Sequence, residues 1–185
     1  AGMNLVELLR LIHNLIRLGT IAEVDLDRAR LRVQSGELLT NWLPWIEARA
    51  GTTRDWDPPS QGEQVVVFSP GGDPAAGFVI SGLFSDAHPA PADSANLWRR
   101  LFPDQALFEY DHAASRLRIN LPGSIEISAP GGTAWVGDIN HQGAMSREGA
   151  YDQQGGSLTH NGKNVGHDHA HKGVVAGNSN TKGPV

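Results

Sequence analysis

Arg116-Leu117-Arg118-Ile119-Asn120-Leu121-Pro122-Gly123-Ser124-Ile125-Glu126-Ile127-Ser128-Ala129-Pro130-Gly131-Gly132 is where the chain changes character. Leu117, Ile119 and Leu121 alternate onto one face, and after the Pro122-Gly123 turn Ile125 and Ile127 do the same. Each inward side is a single short apolar row. Beyond Gly132 the rows thin to Trp135, Ile139, Leu158 and Val165, separated by Gly, Asn, Asp and Gln. No propeller or leucine-rich period is recognised there. Residues 1–110 hold 38 Leu, Ile, Val, Met, Phe, Trp and Tyr, whereas residues 111–185 hold 15. Glycine runs the other way, with 9 in residues 1–120 and 13 in residues 121–185. The front has the means for an ordinary core. The rear does not, because too little apolar surface stands against about 1–2 kcal/mol of backbone entropy per ordered residue. Either it is a flexible glycine-rich tail, or it is a narrow β-prism in which three copies each give one inward residue per step and protect one another's strand edges.

Working back toward the start, the period is that of a small β domain. Thr20–Asp25 and Arg28–Val33 alternate, the second with Ala29, Leu31 and Val33 opposite Arg28, Arg30 and Arg32, and Leu26-Asp27 reads as the turn between them. Asn41–Ile46, Val65–Phe68 and Gly77–Phe84 supply three more strands, and Ser69-Pro70-Gly71-Gly72-Asp73-Pro74 is a strong turn. Five short strands at regular spacing predict a five-stranded OB-type barrel. Ahead of it, Leu5, Leu8, Leu9, Ile12, Leu15 and Ile16 recur at helical spacing, which predicts an amphipathic helix over 3–18 stopped by Gly19. Residues 87–106 read as a connector, with Asp93 or Ser94 capping a short helix through Leu97, Trp98, Leu101 and Phe102.

The 185 residues carry 15 Lys and Arg against 20 Asp and Glu, a net charge of −5, and no Cys. That removes disulfide frameworks, thiolate metal sites and a cysteine nucleophile. Mild acidity argues against a protein built to grip phosphates. No apolar run reaches the ~20 residues of a membrane span, and no secretory leader is read at the start. A Gly-rich phosphate loop, a dinucleotide fingerprint, a Gly-x-Ser-x-Gly elbow and a His-Glu-x-x-His zinc motif are all missing, so no enzyme is expected.

The chemistry-bearing residues gather near the end. Four of the eight histidines lie between Thr159 and Lys172. Along an extended chain His167, His169 and His171 share one face. One chain offers too few nitrogens for a buried site. Three chains giving two each offer six, an octahedral shell that suits Fe(II), Ni or Co better than tetrahedral zinc and leaves no open position for substrate. Two other readings stand beside it: a solvent-exposed His-rich tract, and a metallo-hydrolase motif in which the Asp of His167-Asp168-His169-Ala170-His171 is misplaced.

The layout resembles the baseplate assembly protein V family, the central spikes of contractile-tail phages and R-type pyocins. The resemblance is carried by Asn41-Trp42-Leu43-Pro44-Trp45, Gly62-Glu63-Gln64-Val65, Gly82-Leu83-Phe84-Ser85-Asp86, the run His169-Ala170-His171-Lys172-Gly173-Val174 and the closing Thr181-Lys182-Gly183-Pro184. It implies a mainly β chain: an N-terminal helix (3–18), an OB-fold domain (19–86), a connector (87–106) and a trimeric, intertwined β-helix (107–185) ending in a metal-bound tip. It implies one iron ion (Fe2+) per homotrimer, held by six histidines, with His169 and His171 as the pair and a pair including His167 as the fallback. Lys172 stands where the family often has glycine. Partners implied are two further copies of the chain, the baseplate hub and the outer membrane of a target bacterium, with no nucleic acid. The setting implied is a virion or bacteriocin particle made in the bacterial host cytoplasm. The rival reading is an OB-fold single-stranded nucleic-acid-binding protein with a metal-binding tail. A type VI secretion spike is a second, set back because those chains normally carry a fused hub.

Overall fold

The computed structural model describes residues 4–166 together with Gly173 and Gly177. The chain divides into two compact units, residues 1–128 and 129–185. The first is mainly β with one short helix, α1 (Leu5–Leu15). Asn4 caps that helix, its side-chain oxygen accepting from the Glu7 amide at 2.8 Å. Glu7 sits in the first turn and holds Arg10 at 2.9 Å. The Arg10 hydrogen bond keeps the Glu7 carboxyl below its ordinary range.

The helix ends at Leu15, three residues short of the expected Leu18. Ile16, Arg17 and Leu18 instead open β1 (Ile16–Asp25), paired with Phe68, Val67 and Val66 of β4 (Gln64–Phe68). The ladder fixes three residues that helical spacing alone assigns to one more turn, and the Ser69 amide takes the Leu15 carbonyl at 2.9 Å. Tertiary pairing here overrides local periodicity. β1 also pairs with β2 (Arg30–Ser35), from Thr20↔Gln34 to Asp25↔Arg30, across a bulge between Ile21 and Glu23. The connection is longer than the expected Leu26-Asp27 turn. The Asp25 carboxylate accepts from the Arg28 amide at 3.0 Å and from its Nε at 2.6 Å, so the strand restarts at Arg30 rather than Arg28. These two bonds hold the Asp25 carboxyl below its usual range, the amide contributing most.

β3 (Leu38–Leu39) extends β2, and β5 (Phe78–Leu83) extends β4, giving the order β3-β2-β1-β4-β5. The expected strand over Asn41–Ile46 is not a regular one. Pro44 has no amide to give a ladder. The segment bonds both sheet edges instead. Leu31 and Leu43 exchange main-chain bonds at 2.9 and 2.8 Å, while Val79 donates to the Pro44 carbonyl and accepts from the Ile46 amide, both at 2.9 Å. One segment thereby stitches β2 to β5 and closes the sheet into a barrel. Inside lie Ile21, Leu31, Val33, Leu43, Val65, Val67 and Val79, with Val24 and Trp45 packed against them.

A second sheet follows in the order β6-β7-β8: β6 (Leu97–Leu101), β7 (Leu107–Asp111) and β8 (Arg116–Asn120). β6 occupies the expected short helix. Ser94 makes a turn rather than a cap, its carbonyl and hydroxyl taking the amides of Leu97 and Asn96. From there five antiparallel pairs with β7, Leu97↔Asp111 to Leu101↔Leu107, decide for strand. The expected strand over Ser124–Ser128 finds no ladder partner and is irregular. In residues 129–185 the regular structure among the described residues is a hairpin, β9 (Thr159–His160) with β10 (Lys163–Asn164), turning on Asn161-Gly162 with both residues at positive φ. Among the described residues no helix is long and apolar enough to cross a membrane.

Candidate functional site

The sheet β6-β7-β8 is inside out. Antiparallel register places Trp98, Tyr110 and Leu117 in one cross-strand row and Arg100, Phe108 and Ile119 in the next, all on the same face. That face is open: Trp98 is 60 % exposed, Tyr110 42 %, Leu117 61 % and Ile119 44 %. The opposite face carries Arg99, Glu109 and Arg118 in register. Glu109, a charged residue, is only 6 % exposed. It is held by Arg99, whose Nε donates to Oε2 at 2.7 Å and whose second nitrogen donates to the same oxygen. Arg99 also bonds the Pro91 carbonyl at 2.7 Å. Burying a carboxylate while leaving four large apolar side chains in water is the reverse of an autonomous sheet. Glu109→Gln is expected to cost about 1.5–3 kcal/mol, because it leaves the guanidinium facing a neutral group. Thermal unfolding checks this, and an unchanged midpoint contradicts it.

The apolar rows continue along the sequence. Ile125, Ile127, Trp135, Val136 and Ile139 are exposed. So are the outward residues of α1. The helix meets the barrel with Leu11 and Asn14: a Cβ on Gly72 would stand 2.4 Å from the Leu11 carbonyl oxygen, and Asn14 accepts from Arg17 at 2.8 Å. Leu5, Leu8, Leu9, Ile12 and Leu15 therefore stay in water. Between Leu15, Ile16, Phe68, Pro70 and Phe78 runs an apolar cleft, with the buried, unpartnered Ser69 hydroxyl in its lining.

The basic strand face of the barrel is largely compensated from within. Arg28 pairs with Asp25, and Arg32 pairs with Glu23 at 3.0 Å. Both guanidinium groups lie over the Trp42 ring, 5.2 and 5.7 Å from its centre. Trp45 packs on the core, donates to Glu47 at 2.9 Å and meets Trp56 at 5.7 Å between ring centres. His112 reaches the Ala95 carbonyl at 3.1 Å and serves the turn before β6.

His167, His169 and His171, the expected metal ligands, lie outside the described residues. Among the described residues no three His, Asp or Glu side chains cluster to hold an ion. Two features went unread in the sequence. One is the share of β6 in the apolar face of β6-β7-β8, hidden by the helical reading of Leu97–Phe102, which leaves Trp98 without its place beside Tyr110 and Leu117. The other is a six-residue glycine spacing, Gly137, Gly143, Gly149 and Gly155, each at positive φ.

Residues 17–84, nearly the span from β1 to β5, match the family model of the type VI secretion system/phage-baseplate injector OB domain. The chain is also 35 % identical over 201 residues to the spike protein of Escherichia phage P2, an alignment covering 94 % of this chain and 95 % of that protein. The likeness thus runs from the barrel through the glycine-rich rear, and the chain belongs to the phage baseplate spike family.

Proposed function

We propose that this chain is the non-enzymatic central spike of a contractile-tail baseplate, working as a homotrimer that pierces the outer membrane of a target cell. The observation that carries the trimer is the inverted sheet: Trp98, Tyr110, Leu117 and Ile119 in water, Glu109 buried behind them. Copies related by threefold rotation cover that face and make the exposed rows of the rear a shared interior. A closed threefold prism also leaves no strand edge unpaired, which suits a thin element loaded along its length. The domain reading of the sequence fits this role: the barrel (19–86) seats the spike on the baseplate hub, and the rear (107–185) forms an intertwined β-helix.

At the tip, the donor chemistry of the sequence fits a metal. His169 and His171 from three chains supply six neutral imidazoles, a shell suited to Fe2+, with a pair including His167 as the fallback. Such an ion, when bound, cross-links three chain ends and offers no open position for chemistry. The residues' own part is to hold the ends together during impact. The test uses assembled particles whose spike lacks residues 167–185. They are expected to assemble and contract yet to lose infectivity or killing; unchanged activity overturns the role of the tip.

A further inference from the structure

The glycines of the rear recur every six residues, and the unit they define repeats in more than glycine. Gly137, Gly143, Gly149 and Gly155 have φ of 118°, 121°, 103° and 70°, a region that favours residues without a Cβ. Two places after the first three stand Ile139, Met145 and Tyr151, all exposed. Four places after the same three glycines stand His141, Arg147 and Gln153. Each of these reaches forward to a main-chain carbonyl at or just past the next glycine. His141 Nε2 lies 3.3 Å from the Ala144 oxygen, a contact that needs the proton on Nε2. Arg147 donates to the Ala150 oxygen, and the Gln153 amide to the Gly155 oxygen at 3.5 Å. Arg147 also lies over the Tyr151 ring, 4.9 Å from its centre.

Among the described residues, no main-chain amide between Thr133 and Ser157 donates to another main-chain carbonyl. A hexapeptide coil formed by one chain would pair successive turns through such bonds. This segment does not do so, and its amides and apolar side chains both face water. A partner that satisfies both must present strand edges and apolar residues at the same six-residue step. The occupant whose period matches throughout is another copy of this chain.

We propose that residues 137–155 are a six-residue register device for self-assembly. The first position of each unit turns the corner, the third contributes Ile139, Met145 or Tyr151 to the interior shared between copies, and the fifth clips the corner within its own chain. The device rests on the trimer reading above and adds its register: copies lock in steps of six residues, and the rear is modular in that step. It also separates two kinds of residue that look alike in composition, the apolar residues that copies share and the polar ones that stiffen a single chain.

The test compares two deletions in the full-length protein. Removing 143–148 takes out one whole unit and brings Gly149 and Ala150 into the places of Gly143 and Ala144. Removing 143–145 takes out half a unit and sets Ile139 and Tyr151 out of step. Each variant is sized by light scattering, and amide exchange is followed over 129–160. The whole-unit deletion is expected to stay trimeric with its rear amides protected. The half-unit deletion is expected to exchange at the rate of an unpaired chain over the same span. Equal behaviour of the two, protected or not, overturns the register. Arg147→Met is expected to speed exchange locally at Ala150 and Tyr151 while the trimer persists; unaltered exchange there overturns the clip. If the unaltered protein is itself monomeric with an unprotected rear, the trimer reading fails rather than the period alone, so the two failures are distinguishable.

Discussion

Leu117→Asp combined with Ile119→Asp is expected to turn the assembled protein into single chains that still contain a folded barrel. Both residues lie on the open face of β8, in register with Tyr110 and Phe108. Fully burying one such side chain contributes about 1.5–3 kcal/mol, and a threefold assembly repeats the gain in every copy. Losing two residues per chain therefore removes on the order of 10 kcal/mol from the trimer. In the proposed trimer the substitution also drives carboxylates toward one another, where burial without a partner is costly. Nothing comparable happens inside the barrel, whose interior of Ile21, Leu31, Val33, Leu43, Val65, Val67 and Val79 is remote in sequence from both changes. Light scattering is expected to give one chain's mass, with circular dichroism retaining the β signal of the barrel. A variant that remains trimeric rules out this face as the seam.

His169→Ala together with His171→Ala is expected to abolish the bound metal while leaving the trimer intact. The changed residues are the imidazoles proposed as ligands, and the apolar rows proposed to join the copies lie elsewhere in the sequence. Iron measured by elemental analysis is expected to fall from one per three chains to none. The His167→Ala variant separates the two possible pairs: it keeps the ion if His169 and His171 are the ligands and loses it if His167 is one. Full occupancy in the double variant contradicts the assignment.

The barrel was legible because its strands alternate cleanly. Leu31 and Val33 point inward and Arg30 and Arg32 outward, and Val65 and Val67 are buried as their period requires. Its closure was less so. The residues from Leu43 to Ile46 join β2 to β5 through single bridges, and local sequence does not record which distant edge a proline-broken segment will meet. The helix end was misplaced for a related reason: Ile16 and Leu18 fit a helical stripe, and the ladder with Phe68 and Val66 claims them. Leu97, Trp98, Leu101 and Phe102 fit both a helix and a strand, and the five pairs with β7 settle it. The rear announced itself by composition, as a segment without enough apolar surface for a core. Its period did not stand out, because the repeating residues Ile139, Met145 and Tyr151 share little chemistry beyond being apolar, and the invariant part of the unit is a single glycine. Spacing puts His167, His169 and His171 on one face of an extended chain, the resemblance alone selects His169 and His171 among them, and all three lie outside the described part of the chain.

Mass spectrometry of the unaltered full-length protein under native conditions counts chains and ions together. A particle of three chains carrying one iron is the expected result. A mass of one chain, unchanged by concentration or by added iron, contradicts the proposal that copies combine to give the rear a shared interior.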